Sequence, residues 1–282
     1  MFKIRRKEVL TPQTKLFVVE APMIATKVLP GQFVVLRIDE KGERIPLTVA
    51  DFDRDQGTLT LIFQEVGKTT YHLGTLNEGD SILDLVGPLG KPSEIEDFGT
   101  VACVGGGIGI APVYPIARAL KQAGNRVISI IGARSKDLLI LEREITEISD
   151  EIHVTTDDGS YGKKAFVTQE LERLIKDGYK FDFAIGIGPV PMMKAFAGVT
   201  TRYGIKAKVS LNPIMVDGTG MCGVCRVSVG GVTRFACVDG PEFDAGEVDY
   251  DILTARQRIY CDEERQSLER YQQSKCGGCK RE

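Results

Sequence analysis

Two periodicities divide the chain. Up to about residue 97, apolar and polar positions alternate in short runs, as in TKLFVVEA, GQFVVLRID, GTLTLIFQEV and GDSILDLVGPLG. Alternation with period two puts every second side chain on one face, the mark of half-buried strands. Gly and Pro punctuate the gaps and no helix of convincing length fits between them, so this part predicts a closed or nearly closed antiparallel β-barrel. From about residue 98 apolar strands alternate with helical spacing: TVACVGG, IAPVYPIARALKQAG, RVISIIGAR, LLILEREITEIS, EIHVTTDDG, FVTQELERLIKDG, FDFAIGIG, PMMKAFAGVTTRYG and KAKVSLN. That order predicts a parallel sheet covered on both faces. After Pro213 the chain turns Gly- and Cys-rich, and from about Gly246 it reads as a polar tail with Ile259, Leu268 and Tyr271 as candidate anchors. The run ERQSLER there reads as a solvated helix face. The expected organisation is a multidomain β plus α/β protein divided at 1–97, 98–213, 214–245 and 246–282.

Composition narrows the picture. A chain of 282 residues, 43% hydrophobic, is long enough for two or three packed domains. Its formal charge of −3 carries no basic bias, which argues against a nucleic-acid partner. The start MFKIRRKEVLTP has no apolar run suited to a signal peptide, and no stretch approaches the roughly 18 apolar residues of a membrane span. The expected compartment is therefore the cytoplasm, with no membrane partner. There, seven cysteines crowded toward one end are expected to be ligands more than disulfides.

Four residues carry the densest chemistry. Asp217, Cys222, Cys225 and Cys237 fall within one Gly-rich stretch, and soft thiolates at this density select zinc or iron–sulfur. Zinc has a specific version: Cys222-x2-Cys225 with Cys276-x2-Cys279 would make a four-cysteine site. The gap of 50 residues is long for a ribbon, and Cys237 is then left without a role. Upstream, VACVGGGIGIAPVYPIARAL carries Gly105, Gly106, Gly107 and Gly109 between a strand and a helix. Such a turn lets backbone approach a pyrophosphate at a helix N-terminus, although glycines also serve tight packing alone. Its spacing is not G-x-G-x-x-G. Cys103 reads as a small core residue, His72 and His153 as structural, and Cys261 has no evident partner.

The string GGGIGIAP resembles the nicotinamide-binding turn of the ferredoxin reductase superfamily. GAR at 132–134, DDGSYG at 157–162 and IGIGPVPMMKA at 185–195 extend the resemblance, which covers residues 1–215. It implies an FAD-binding barrel followed by an NAD-binding domain. The nucleotide would then be held by Gly106, Gly107, Ile108, Gly109, Ile110, Arg134, Asp157, Asp158, Gly188, Pro189 and Met192. IPLTVAD at 45–51 is similar to the flavin segment of that superfamily. The resemblance puts Thr48 opposite flavin N5, with Pro46, Leu47 and Val49 lining the ring and ribityl chain. Ile45 stands where the superfamily arginine sits, and Arg44 is one position earlier. VGKTT resembles the second FAD segment, VGxGT, with Thr69 in place of the second Gly; Val66, Gly67, Lys68, Thr69 and Thr70 would offer amides to the pyrophosphate.

The spacing Asp217-x4-Cys222-x2-Cys225-x11-Cys237 is similar to a plant-type 2Fe–2S pattern with Asp in the first Cys position. It resembles the electron-transfer subunit of dihydroorotate dehydrogenase. It is closer to the small-subunit family of NADH-dependent ferredoxin:NADP oxidoreductase, also called sulfide dehydrogenase, where Asp is a ligand. That resemblance implies an electron path between NAD(H), FAD and a 2Fe–2S cluster. It also implies a larger partner subunit with a second FAD and 4Fe–4S clusters that binds NADP(H) and works with ferredoxin by electron bifurcation. No catalytic acid or base is expected, because the cofactors carry the chemistry. Two alternatives stand: a dihydroorotate dehydrogenase electron-transfer subunit, for which Cys is expected at 217, and a zinc-stabilised flavin-binding module. Asp157 and Asp158 disfavour a 2′-phosphate while Arg134 welcomes one, so NAD(H) follows from the resemblance alone.

Overall fold

The structure, a computed structural model, describes residues 1–276; Cys279 and the side chain of Cys276 lie outside what it describes. Seven strands form the first sheet: β1 (Phe2–Thr11), β2 (Thr14–Glu20), β3 (Phe33–Arg37), β4 (Ile45–Asp53), β5 (Thr58–Gln64), β6 (Ser81–Ile82) and β7 (Asp84–Leu89). They run in the order β6-β1-β2-β5-β4-β3-β7. The two edges, β6 and β7, are consecutive in the chain, so the sheet nearly closes on itself. Inward positions such as Phe17, Leu59, Leu61 and Phe63 fill it, with Phe17 and Phe63 edge to face at 5.1 Å.

A short helix, α1 (Pro22–Ala25), follows β2, and a longer one, α2 (Lys68–Thr75), interrupts the barrel. The alternating pattern predicts no helix of convincing length in this part, so α2 departs from it. The Thr70 hydroxyl accepts the N–H of Val66 at 3.0 Å and of Gly67 at 3.1 Å, which caps a helix there.

The second sheet has the order β11-β10-β9-β8-β12-β13-β16, with β16 (Glu242–Asp244) at one edge. Its parallel strands are β8 (Thr100–Gly106), β9 (Arg126–Ala133), β10 (Glu151–Thr156), β11 (Lys163–Lys164), β12 (Phe183–Ile187) and β13 (Lys206–Ser210). Alternation splits β8 cleanly. Val101 and Cys103 pack with α3 (Ile110–Gln122) and α4 (Glu142–Ile148), whereas Ala102 and Val104 pack with α5 (Val167–Lys176) and α6 (Val190–Arg202). The helix expected from LLILEREITEIS starts only at Glu142. Ile140 turns inward and is buried, and Leu141 takes a left-handed φ of 56° before the first turn.

The Cys-rich stretch adds the hairpin β14 (Arg226–Val229) and β15 (Val232–Phe235), then α7 (Ala236–Asp239) and β16 (Glu242–Asp244). β16 pairs antiparallel with β13, so KAKVSLN does not end the sheet. Two helices follow, α8 (Tyr250–Gln257) and α9 (Cys261–Cys276). The start of the expected polar tail is core: Val248, Tyr250 and Leu253 are buried. One continuous apolar core joins Phe33 and Val35 of the barrel to Cys225, Val227 and Cys237 of the Cys-rich lobe and to the α5–α6 face of the second sheet.

Candidate functional site

Three features converge where the two sheets meet. On the barrel, β4 presents Ile45, Pro46, Leu47 and Thr48 half-buried, with Thr48 opposite Phe33 of β3. Val49 is buried behind them. Arg44 is exposed and pairs with no carboxylate among the described residues, which leaves its charge available to a phosphate. The start of α2 is open at Gly67, where an added Cβ would meet nothing within 4 Å. Glu43 braces that turn by accepting the Thr69 hydroxyl at 2.9 Å and pairing with Lys68 at 3.4 Å. Half-buried apolar strand, open helix N-terminus and unpaired cation suit a flavin dinucleotide.

A cavity of about 480 Å³ lies beside the glycine turn. Gly106, Gly107, Ile108, Arg134, Asp157, Pro189 and Met192 line it, from among the residues singled out in the sequence. Gly107 has φ +57°, with open space where a side chain would be, so its backbone is free to approach a ligand. Gly109 serves packing, since a Cβ there would run into the Ile187 carbonyl. Gly109, Ile110 and Gly188 thus build the floor of the turn without lining the cavity. Asp158 is engaged elsewhere: it accepts the Ser160 N–H at 2.8 Å, and the Ser160 hydroxyl, ahead of that N–H, holds it below its ordinary pKa. Asp157 remains open to the cavity, and desolvation raises its pKa despite nearby Arg134. Sequence reasoning missed Phe166, Thr168, Leu138 and Ile140, which reach the same cavity from the α5 start and the β9–α4 loop. The 57% exposure of Phe166, an aromatic beside a cavity, was the structural signal.

In the Cys-rich lobe, Cys225 and Cys237 are buried with their sulfurs 3.2 Å apart. Burial first, then the Cys225 thiol, pushes the Cys237 thiol up to about 12, so it ionises only when a metal takes the proton's place. Asp217 accepts the Thr219 N–H at 2.9 Å and the Cys222 N–H at 3.0 Å. Those bonds, Thr219 first, hold its carboxylate below the usual range. Cys222 is exposed. Among the described residues no three His, Cys, Asp or Glu side chains are gathered into a cage. Two thiols meet, and the carboxylate organises the loop that carries the third. The donor set itself, Asp217, Cys222 and Cys225 from the Gly-rich loop and Cys237 from α7, fits a thiolate-bound cluster. That loop abuts the flavin-side strands, since a Cβ on Gly218 would contact Leu89 and Val35.

Other candidates stay structural. Cys103 is fully buried, which raises its thiol to about 12. His153 lies 3.2 Å from Glu170, and Cys261 is exposed at the α9 start.

The fold and these sites define a ferredoxin reductase-like oxidoreductase with an iron–sulfur lobe. Residues 103–198 match the oxidoreductase NAD-binding domain, and residues 212–249 match the iron-sulfur cluster binding domain of dihydroorotate dehydrogenase B. The latter span contains Asp217, Cys222, Cys225 and Cys237 and excludes Cys276 and Cys279, so the lobe is an iron–sulfur one and not a zinc ribbon. A Thermotoga maritima relative, the dihydroorotate dehydrogenase B (NAD(+)) electron transfer subunit homolog, is 53% identical over 90% of each chain. The electron transfer subunit of the same enzyme from Fusobacterium nucleatum is 34% identical, over 79% of this chain and 87% of its own. A solved structure of the NADH-dependent reduced ferredoxin-NADP oxidoreductase, described for flavin-based electron bifurcation, is 50% identical. It covers 96% of this chain and 98% of that one with a TM-score of 0.91. The chain belongs to the family of dihydroorotate dehydrogenase B electron transfer subunits and their homologues. It is an electron-transfer oxidoreductase subunit of ferredoxin reductase-like FAD-binding fold, with an NAD-binding domain and an iron–sulfur domain. Among the described residues, no helix is long and apolar enough to cross a membrane.

Proposed function

We propose that this chain is the NADH-side subunit of a flavin-based, electron-bifurcating ferredoxin–NADP oxidoreductase. Its partner is a larger flavin and 4Fe–4S subunit that binds NADP(H), with ferredoxin acting through that partner. The observation that carries this reading is Asp217. A carboxylate occupies the first ligand position in a chain that superposes over nearly its full length on the bifurcating enzyme's subunit. A carboxylate is a harder donor than thiolate, so it alters the potential of the centre it binds.

When loaded, the flavin supplies hydride acceptance and the 2Fe–2S group supplies one-electron steps. The residues do the rest. Pro46, Leu47, Thr48 and Val49 seat the flavin ring; Arg44 and the amides of Lys68, Thr69 and Thr70 take its phosphates, on a turn that Val66 and Gly67 shape through their bonds to the Thr70 hydroxyl. Gly106, Gly107 and Ile108 receive the pyrophosphate of NAD(H) on a turn shaped by Gly109, Ile110 and Gly188, and Pro189 and Met192 flank its nicotinamide end. Asp157, the carboxylate left open to the cavity, repels a 2′-phosphate and favours NAD(H) over NADP(H). Asp217, Cys222, Cys225 and Cys237 hold the cluster. Free thiols at all five described cysteine side chains suit a reducing, cytoplasmic setting.

Anaerobic affinity purification of the tagged chain tests the assignment. A larger flavin and iron–sulfur protein should come down with it, and NADH should reduce its flavin faster than NADPH. Recovery of a dihydroorotate dehydrogenase instead would overturn the partner, and a clear NADPH preference would overturn the nucleotide.

A further inference from the structure

The flavin strand and the nucleotide helix are tied by one ion pair. Arg118 on α3 reaches across the junction to Asp51 on β4, guanidinium to carboxylate, at 2.5 Å. Asp51 lies three residues beyond Thr48, and α3 begins directly after the glycine turn. The pairing register of β4 with β5 slips between Val49 and Asp51, leaving Ala50 as an extra residue. A bulge of this kind re-aims the following side chain. Asp51 is further fixed because its Oδ1 also accepts the Phe52 N–H at 2.8 Å. On the other side, Arg118 stacks over the Tyr114 ring at 5.1 Å.

The surrounding junction is apolar, with Leu16, Ala50 and Ile62 of the barrel packed among Ile110, Val113 and Ile116. Apolar contact is non-directional and permits small slides and rotations, whereas a charge pair fixes register. Both partners are about one-third exposed, so the pair contributes little to stability. Its value lies in orientation.

We propose that Arg118 and Asp51 are positioning residues that set the nicotinamide against the flavin, acting through α3 and β4 and touching neither cofactor. The inference rests on the flavin lying along β4 and the nucleotide at the α3 start. Misplacement of about 1 Å can cost on the order of 100-fold in rate while leaving binding intact.

The test uses the full-length protein loaded with flavin and cluster. Stopped-flow reduction by NADH should slow at least about tenfold in Arg118→Gln and in Asp51→Asn. Flavin content and the Kd for NAD+ should stay within about twofold. The nicotinamide–flavin charge-transfer absorbance should weaken, and hydrogen exchange should rise in the peptides spanning Val49–Asp53 and Val113–Leu120. The double variant should be no slower than either single one, because both remove one interaction. Unchanged reduction rates and charge-transfer absorbance in both single variants overturn the proposal, as do losses that add in the double variant. Arg118→Gln lies off the flavin strand, so it decides the matter if Asp51→Asn loses flavin. A wild-type protein that NADH fails to reduce would instead refute the underlying placement of flavin and nucleotide.

Discussion

Replacing Glu242 with Gln should stabilise the protein at pH 8 and change little at pH 5. Glu242 is the first residue of β16 and sits where barrel, nucleotide sheet and iron–sulfur lobe meet. The residue as a whole is half-buried, but its carboxyl is enclosed: it accepts the Ser93 hydroxyl, and a Cβ on Gly31 would lie 2.8 Å from its Oε1. Burial pushes its pKa up to about 7, against the opposing pull of the Ser93 hydrogen bond and Lys208, with Glu94 adding repulsion. A shift from 4.5 to about 7 is worth about 3 kcal/mol at 1.36 kcal/mol per unit, an upper bound because the residue as a whole is only half-buried. The raised value makes the folded state hold its proton where the unfolded chain has released it. Stability from this group is therefore complete below about pH 4.5 and lost as pH rises through about 7, then constant. Gln keeps an acceptor for Ser93 and never ionises, so it escapes that loss. Thermal melts of the cofactor-loaded wild type and Glu242→Gln at pH 5 and pH 8 read the difference. At about 2–4 °C per kcal/mol, the variant should melt up to about 6–12 °C higher at pH 8. An equal offset at both pH values, or a less stable variant at pH 8, would refute the enclosed-carboxyl reasoning.

Gly109→Ala should drive a methyl into the Ile187 carbonyl and open the β8–α3 turn. NADH affinity should fall more than about tenfold while flavin content holds, as read by titration of the loaded protein. Asp217→Ala removes two hydrogen bonds that order the cluster loop, so iron and sulfide per flavin should drop; Asp217→Cys should keep a 2Fe–2S spectrum at a shifted potential. An unaltered spectrum and potential in both variants would remove Asp217 from the ligand set. Glu170 is enclosed by Lys163, Arg173 and His153, and the Arg173 hydrogen bond, ahead of Lys163, holds it down to about 2. Glu170→Ala should cost about 3 kcal/mol at pH 7. That deficit should shrink as pH falls toward 2, where the wild-type carboxylate also loses its charge, and parallel melts would show it.

The parts legible in the sequence share one property: their signal is local. The strand–glycine–helix of residues 100–122 announces itself by a change of period within one stretch, and the Asp217 to Cys237 spacing is a local count. What escaped depends on distant partners. β16 is a three-residue edge strand with no period of its own, defined only by pairing with β13. Val248, Tyr250 and Leu253 are three inward positions in a stretch whose average is polar, so the average hid them. Phe166 and Thr168 enter the nucleotide cavity because parallel order brings the α5 start beside the β8 turn, which no spacing along the chain encodes. The capping of α2 by Thr70 is local, but its eight residues, half of them Thr or Gly, show no helical period against the surrounding strands.

The core that runs from Phe33 and Val35 through Cys225 and Cys237 to the α5–α6 face gives three working parts a common wall. A protein assembled from beads on a string can trade one bead for another. Here a replacement lobe would have to reproduce the shape of its neighbours' packing before it carried a single electron. The spacing of the relay is thus a property of the packing itself, and substitutions at Val35 or Val227 should retune the relay without touching any ligand.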